Sequence, residues 1–172
     1  MKKYIYIILT VLLLTSCATN STTFKGGVMT SCMPSGNLKY YIRPTKMNSI
    51  EKNDKSYALI DFTYQKVNRD YVTSSFTNFT IYYQTTAFIK NASFLLHDEQ
   101  IITLSNIKTI DRDTKKGFIR VSSILENQSL EKTLYALHSS NAKLKVEFDS
   151  GDTKFFIPSK DMINKISEAF SK

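Results

Sequence analysis

From Leu38 onward the chain alternates short apolar runs with polar turns, and for most of its length the apolar positions recur every second residue. Leu38 to Arg43 is a first β-rich run, followed by a polar stretch, Pro44 to Lys55. In Ser56 to Val67, Ala58, Ile60, Phe62 and Tyr64 alternate with mostly more polar neighbours, which predicts a strand with one buried face. Thr73 to Thr85 sets Phe79, Ile81 and Tyr83 on one side and Phe76 with Tyr82 on the other, so both sides are expected to be covered. Asn68-Arg69-Asp70 is the expected hairpin turn between these two strands. Ala92 to Leu96 and Ile101 to Leu104 flank His97-Asp98-Glu99-Gln100 as another hairpin. Ile107 to Ile110 pairs with Phe118 to Ile124 around a Lys-rich turn containing Gly117.

The period changes in the C-terminal third. Ser129 is suited to cap a helix running to His138, with Leu130, Leu134 and Leu137 at helical spacing. Lys143 to Phe148 then opens a hairpin that turns at Asp149-Ser150-Gly151-Asp152 and returns through Phe155-Phe156-Ile157. Pro158 and Ser159 lead into a last helix, Lys160 to Phe170, whose Met162, Ile163, Ile166 and Phe170 form an apolar stripe. Eight or nine strands joined by short connections imply antiparallel pairing, and no helix-length crossover occurs before Ser129. The expected fold class is α+β, a mostly antiparallel β-sheet or sandwich-like domain with two helices in the C-terminal third.

The first residues follow a different logic. Lys2 and Lys3 precede a run from Tyr4 to Leu14 that is almost wholly apolar, the layout of an export signal. As a helix this run spans roughly 16 Å against about 30 Å of hydrocarbon, so a permanent membrane span is disfavoured. Leu14-Thr15-Ser16-Cys17 follows directly. This ordered set resembles the signal peptide and lipobox of bacterial lipoproteins. The resemblance implies cleavage before Cys17, acylation of that thiol and attachment to the cell envelope through the lipid. Several acyl chains on one N-terminus hold a protein far more firmly than a single chain does. In a cell with two membranes, Ala18 rather than Asp after the cysteine implies the outer one. The resemblance covers residues 1–17 and implies nothing about the family of the folded part.

Residues 1–16 are thus expected to be a cleaved signal peptide, 17–37 a lipid-anchored flexible tether, and 38–172 a single β-rich domain. The tether reading rests on the Asn, Ser, Thr, Gly and Pro content of Ala18 to Asn37 and its lack of any period. Twenty such residues reach roughly 70 Å when extended. A total of 172 residues leaves room for one ordinary core and no second full-sized domain. With Cys17 acylated, Cys32 is the one remaining thiol and stability comes from the core rather than from a disulfide. Cys32 reads as a small loop residue rather than a nucleophile or a dimer link, having no histidine near it in sequence.

Candidate chemistry is sparse. No nucleophile elbow, dinucleotide-binding glycine pattern, phosphate loop or zinc-protease motif occurs. His97 and His138 are the only histidines, so a three-histidine metal site is excluded, and no cofactor is expected. His97 falls in a polar turn, and His138 at a helix C-terminus, where its charge would interact with the dipole. A hydrolase with dispersed carboxylates would need to gather two of Asp61, Asp70, His97 and Glu147 in a cleft. Charge adds one more signal. Without Lys2 and Lys3 there are 21 basic and 15 acidic residues, a formal charge of +6. The excess lies near the anchor, where Lys39, Arg43, Lys46, Lys52 and Lys55 are read as contacts to anionic lipid or lipopolysaccharide phosphates. Nucleic acid is a poor partner for an exported chain whose aromatics alternate as core strand residues do. The expected function is a lipid-anchored, non-catalytic envelope module that binds a protein, glycan or lipid; an envelope hydrolase or a lipid carrier are the alternatives.

Overall fold

The computed structural model describes residues 22–67 and 71–171, with side chains over 26–66 and 75–171. In chain order these form β1 (Thr22–Lys25), β2 (Val28–Cys32), β3 (Leu38–Ser49), β4 (Tyr57–Val67), β5 (Tyr71–Tyr82) and β6 (Ile89–Leu96). There follow β7 (Ile101–Thr103), β8 (Ser105–Asp113), β9 (Phe118–Leu125), helix α1 (Asn127–His138), β10 (Ala142–Phe148), β11 (Thr153–Pro158) and helix α2 (Lys160–Phe170). Every strand pairing among the described residues is antiparallel, as the short connections require for the consecutive pairs. The architecture is therefore mostly antiparallel β with two late helices, in one continuous sheet.

The sheet runs in the order β7-β6-β10-β11-β3-β4-β5-β9-β8, with the β1–β2 hairpin attached to β3 through β2. Its two edges, β7 and β8, are consecutive in sequence and separated by Leu104 alone. Nine strands laid flat would hold those edges nearly 40 Å apart, whereas the Cα atoms flanking one residue are about 7 Å apart at most. The sheet must curl until its edges meet, and it forms a nearly closed barrel. The change of partner occurs between neighbours: the Leu104 amide donates to Ala92 of β6, and the Ser105 hydroxyl donates to Ile124 of β9.

Curling gives each strand a concave and a convex side, and the period-two pattern assigns residues to them. Tyr40 and Ile42 of β3, Ala58, Ile60, Phe62 and Tyr64 of β4, Phe79 and Ile81 of β5, and Ile119, Val121 and Leu125 of β9 face inward and are buried. The two helices pack on the concave side. Helix α1 buries Leu130, Leu134 and Leu137 against β5, β6 and β10, while α2 buries Met162, Ile166 and Ala169 and packs on β2, β3 and α1. Ser159 caps α2 by accepting a hydrogen bond from the Met162 amide. Helix α1 starts at Asn127, earlier than a Ser129 cap predicts, because the Glu126 carbonyl already accepts from the amides of Ser129 and Leu130.

Two expectations are corrected. The tether through Asn37 gives way to structure at Thr22: β1 and β2 form a hairpin, and β2 pairs with β3 from Val28↔Ile42 to Cys32↔Leu38. Short polar strands leave no period to read; this hairpin is held by the sheet edge it joins, by buried Val28 and by α2. Gly26 makes its turn at φ +58, and the Gly27 amide donates to Glu168 of α2 at 3.1 Å. The polar stretch from Pro44 is likewise strand as far as Ser49. A bulge between Ile42 and Thr45 takes up Pro44, which has no amide proton to give a ladder. The Asn68-Arg69-Asp70 turn, Cys17 and the signal segment lie outside the described residues.

The β3–β4 turn is pinned by Asp54, which accepts hydrogen bonds from the Ser56 amide (2.8 Å), the hydroxyls of Ser56 and Ser49, and the Lys154 ammonium of β11 (3.1 Å). Burial opposes ionisation of this carboxyl, but the bonds from Ser56, Lys154 and Ser49 outweigh it and hold its pKa far below the usual aspartate range. A depressed folded-state pKa stabilises the fold above the unfolded-state value, and that gain disappears as pH falls through the folded-state value. Asp54→Asn should therefore cost on the order of 1–3 kcal/mol in urea denaturation at pH 7, and the deficit should shrink as the pH is lowered below about 4. Gly26→Ala tests the hairpin: a Cβ there would press on the Glu168 carboxylate at a positive φ, so a loss of roughly 1–2 kcal/mol is expected in the same assay.

Candidate functional site

The convex face of β3, β4, β5 and β9 departs from the usual solvated side of an antiparallel sheet. Strand register arranges its outward side chains in rows. Tyr41, Thr63, Phe76 and Ile124 form one, Asp61, Asn78 and Ser122 the next, then Lys46, Leu59, Thr80 and Arg120, and finally Asn48, Tyr57, Tyr82 and Phe118. Tyr57 stacks on Tyr82 with ring centroids 4.4 Å apart, Tyr82 leans on Phe118 at 5.9 Å, and the Lys46 ammonium sits 4.6 Å from the Tyr57 centroid. Covering of both sides of β5 was expected, yet Phe76 is 50% exposed. Both helices pack against the inward-facing core residues, on the concave side.

At the centre of this face is Asp61, only 4% exposed although it stands at an outward position. The side chains around it keep water out. Its Oδ1 accepts from the Asn78 amide at 2.8 Å, and Arg120 approaches Oδ2 at 3.9 Å. Burial raises the Asp61 pKa, and the Asn78 hydrogen bond and the Arg120 charge only partly offset it. Burial, followed by the Asp61 charge, also pushes the neighbouring Tyr41 hydroxyl upward. Alternation made Asp61 conspicuous among the outward residues of Ser56 to Val67. Asn78, Arg120 and Tyr41 carried no such signal, since only register across three strand pairs brings them to it.

Of the other sequence-derived groups, the two that are described, His97 and Glu147, are not gathered with Asp61. Glu147 lies on β10, three strand positions from β4, or roughly 14 Å along the sheet. It takes hydrogen bonds from Lys145 and Asn91, which lower its pKa. His97 is exposed in the β6–β7 turn, beside a surface groove of about 400 Å³ that Lys132, Tyr135 and Asn141 also line. His138 meets the edge of the Phe170 ring, and Asp70 lies outside the described residues. Cys32 is not a loop residue but the last residue of β2, paired with Leu38, and is a half-buried free thiol beside the Met33 carbonyl. Among the described residues, no three His, Cys, Asp or Glu side chains gather where they could hold a metal ion. The described groups beside Asp61 are the Asn78 amide, the Arg120 guanidinium and the Tyr41 hydroxyl.

The five basic residues divide between two places. Lys39, Arg43 and Lys46 are exposed along the convex side of β3, and Lys52 and Lys55 belong to the β3–β4 turn. No protein-family model matches the chain, and neither a curated protein nor a solved structure matches it.

A raised folded-state pKa means that Asp61 favours the fold most below the ordinary aspartate pKa and loses that contribution as pH rises through the folded-state value. Asp61→Asn keeps an acceptor for Asn78 and removes the buried charge. Its stability relative to wild type should rise by on the order of 1 kcal/mol at pH 7, with the gain fading as the pH approaches 3. Thermal denaturation across that range measures it; an unchanged difference at all pH values would show that Asp61 ionises freely.

Proposed function

We propose that this chain is a lipid-anchored bacterial cell-envelope protein whose folded part is a non-catalytic binding module. The anchor reading is carried by one observation, the succession of Lys2-Lys3, the apolar run Tyr4 to Leu14, and Leu14-Thr15-Ser16-Cys17. Acylation of Cys17 would make attachment lasting and confine the domain to one membrane surface. Ala18 favours the outer membrane where two are present.

The convex face supports binding as the role of the folded part. Tyr41, Leu59, Phe76 and Ile124 lie beside the Tyr57–Tyr82–Phe118 ladder, giving a side that is apolar in patches and rimmed by Lys46 and Arg120. Carriage of a lipid inside the barrel is disfavoured, because buried Phe62, Phe79, Phe94 and Phe148, together with Leu134 and Ile166, fill space between sheet and helices. Hydrolysis is disfavoured by the separation of Asp61, His97 and Glu147.

Intact-mass spectrometry of the protein purified from membranes should give a chain that begins at Cys17 and carries acyl groups. Cys17→Ser should accumulate as an unacylated precursor with its leader still attached. A freely secreted, unacylated product from the natural sequence would end this reading.

A further inference from the structure

Strand β1 begins at Thr22, five residues after Cys17. Five residues span at most about 18 Å, so a lipid on Cys17 would leave the sheet little freedom to stand away from its membrane. The point of attachment is also defined. Thr22 pairs with Ser31, which pairs with Lys39, so the chain enters two strand spacings, roughly 10 Å, from the Lys39 end of β3. From Lys39 the convex side of β3 continues through Tyr41 and Arg43 to Lys46.

We propose that the convex face of β3, β4, β5 and β9 lies flat on the anionic surface of the bilayer that holds the lipid anchor. This rests on the anchor reading given above and adds an orientation to it. Charge favours this side. Its outward positions carry Lys39, Arg43, Lys46 and Arg120, and among the described side chains of these four strands Asp61 is the only outward carboxylate. Asp61 is screened from solvent beneath its neighbours, so it adds little repulsion where phosphates would approach.

Geometry decides between lying flat and standing on end. Lys39 and Lys46 are about 20 Å apart along β3, well beyond a Debye length of roughly 8 Å at physiological salt. Both come within reach of one charged plane only when β3 runs parallel to it. In that orientation the half-buried Tyr41, Tyr57 and Tyr82 meet the headgroups, a zone that suits rings with an apolar body and a polar tip, and Phe76 reaches the acyl boundary. The exposed side of α1, including Tyr135, lies beside the β6–β7 turn and away from this face.

The chain contains no tryptophan, so a single introduced one reports without background. Acylated full-length protein carrying Phe76→Trp, or Ile124→Trp as a second reporter if the first disturbs folding, would be reconstituted into vesicles with brominated acyl chains. These would be either neutral phosphatidylcholine or a mixture with phosphatidylglycerol. In the anionic vesicles the emission should fall by roughly half or more at low salt and recover as salt is raised to about 0.5 M. Tyr135→Trp should be unaffected, and Lys39→Glu combined with Lys46→Glu should abolish the quenching of the Phe76→Trp reporter. Acylated protein whose convex-face reporters are unquenched, or whose Tyr135→Trp is quenched instead, overturns the orientation and leaves the anchor standing. Protein without the acyl mass overturns both.

Discussion

The fold depends on one covalent constraint: a single residue, Leu104, joins strands that stand at opposite ends of a nine-strand path. Because the backbone cannot stretch, the sheet bends until those ends meet, and the direction of bending separates an enclosed side from an open one. Leu104 is itself buried, so its side chain packs inside the seam that its backbone closes. The core, the seating of both helices and the exposure of the convex face all follow from this separation.

The enclosed side is resolved by ordinary packing. Aromatic and branched side chains from β3, β4, β5, β9 and β10 converge with the apolar stripes of α1 and α2, and each inward residue loses its contact with water. Small hydroxyls are admitted where the backbone offers acceptors: Ser75 donates to the Leu125 carbonyl and Ser123 to the Thr77 carbonyl, tying β5 to β9 inside the core. The open side is resolved differently. Its rings stack on one another across strands, and its carboxylate is sheltered by neighbours rather than by another layer of chain.

Asp61 shows the consequence of that shelter. An aspartate at an outward strand position is ordinarily bathed in water and ionised. Here the surrounding side chains raise the cost of its charge, and the compensation consists of one amide and a guanidinium held 3.9 Å away. Asp54 is the counterexample within the same protein. It too is largely screened from water, but four hydrogen bonds from Ser49, Ser56 and Lys154 more than offset the loss of solvent. The two carboxyls are displaced in opposite directions because Asp61 is the more deeply buried and Asp54 receives the more hydrogen bonds.

Local pattern was enough to predict most of the strands after Leu38 and the buried face of β4, because a two-residue period is written directly into Ala58, Ile60, Phe62 and Tyr64, but it stopped β3 short of Ser49 and expected both faces of β5 to be covered, where Phe76 is half exposed. It also located both helices to within three residues, since their apolar spacing is local. It was silent on Thr22 to Cys32, whose strands exist only because β3 offers a free edge and α2 offers Glu168 to the turn. It could not pair Asp61 with Asn78 and Arg120, or stack Tyr57 on Tyr82, because those contacts depend on register between segments distant along the chain. Residue order therefore determined most of the strands after Leu38, both helices and the lipobox-like leader. The closure of the sheet, the shelter of Asp61 and the grouping of cations and rings on one face were decided by tertiary structure, for alternation fixes a side chain's side of its strand and says nothing of which strand lies next to it.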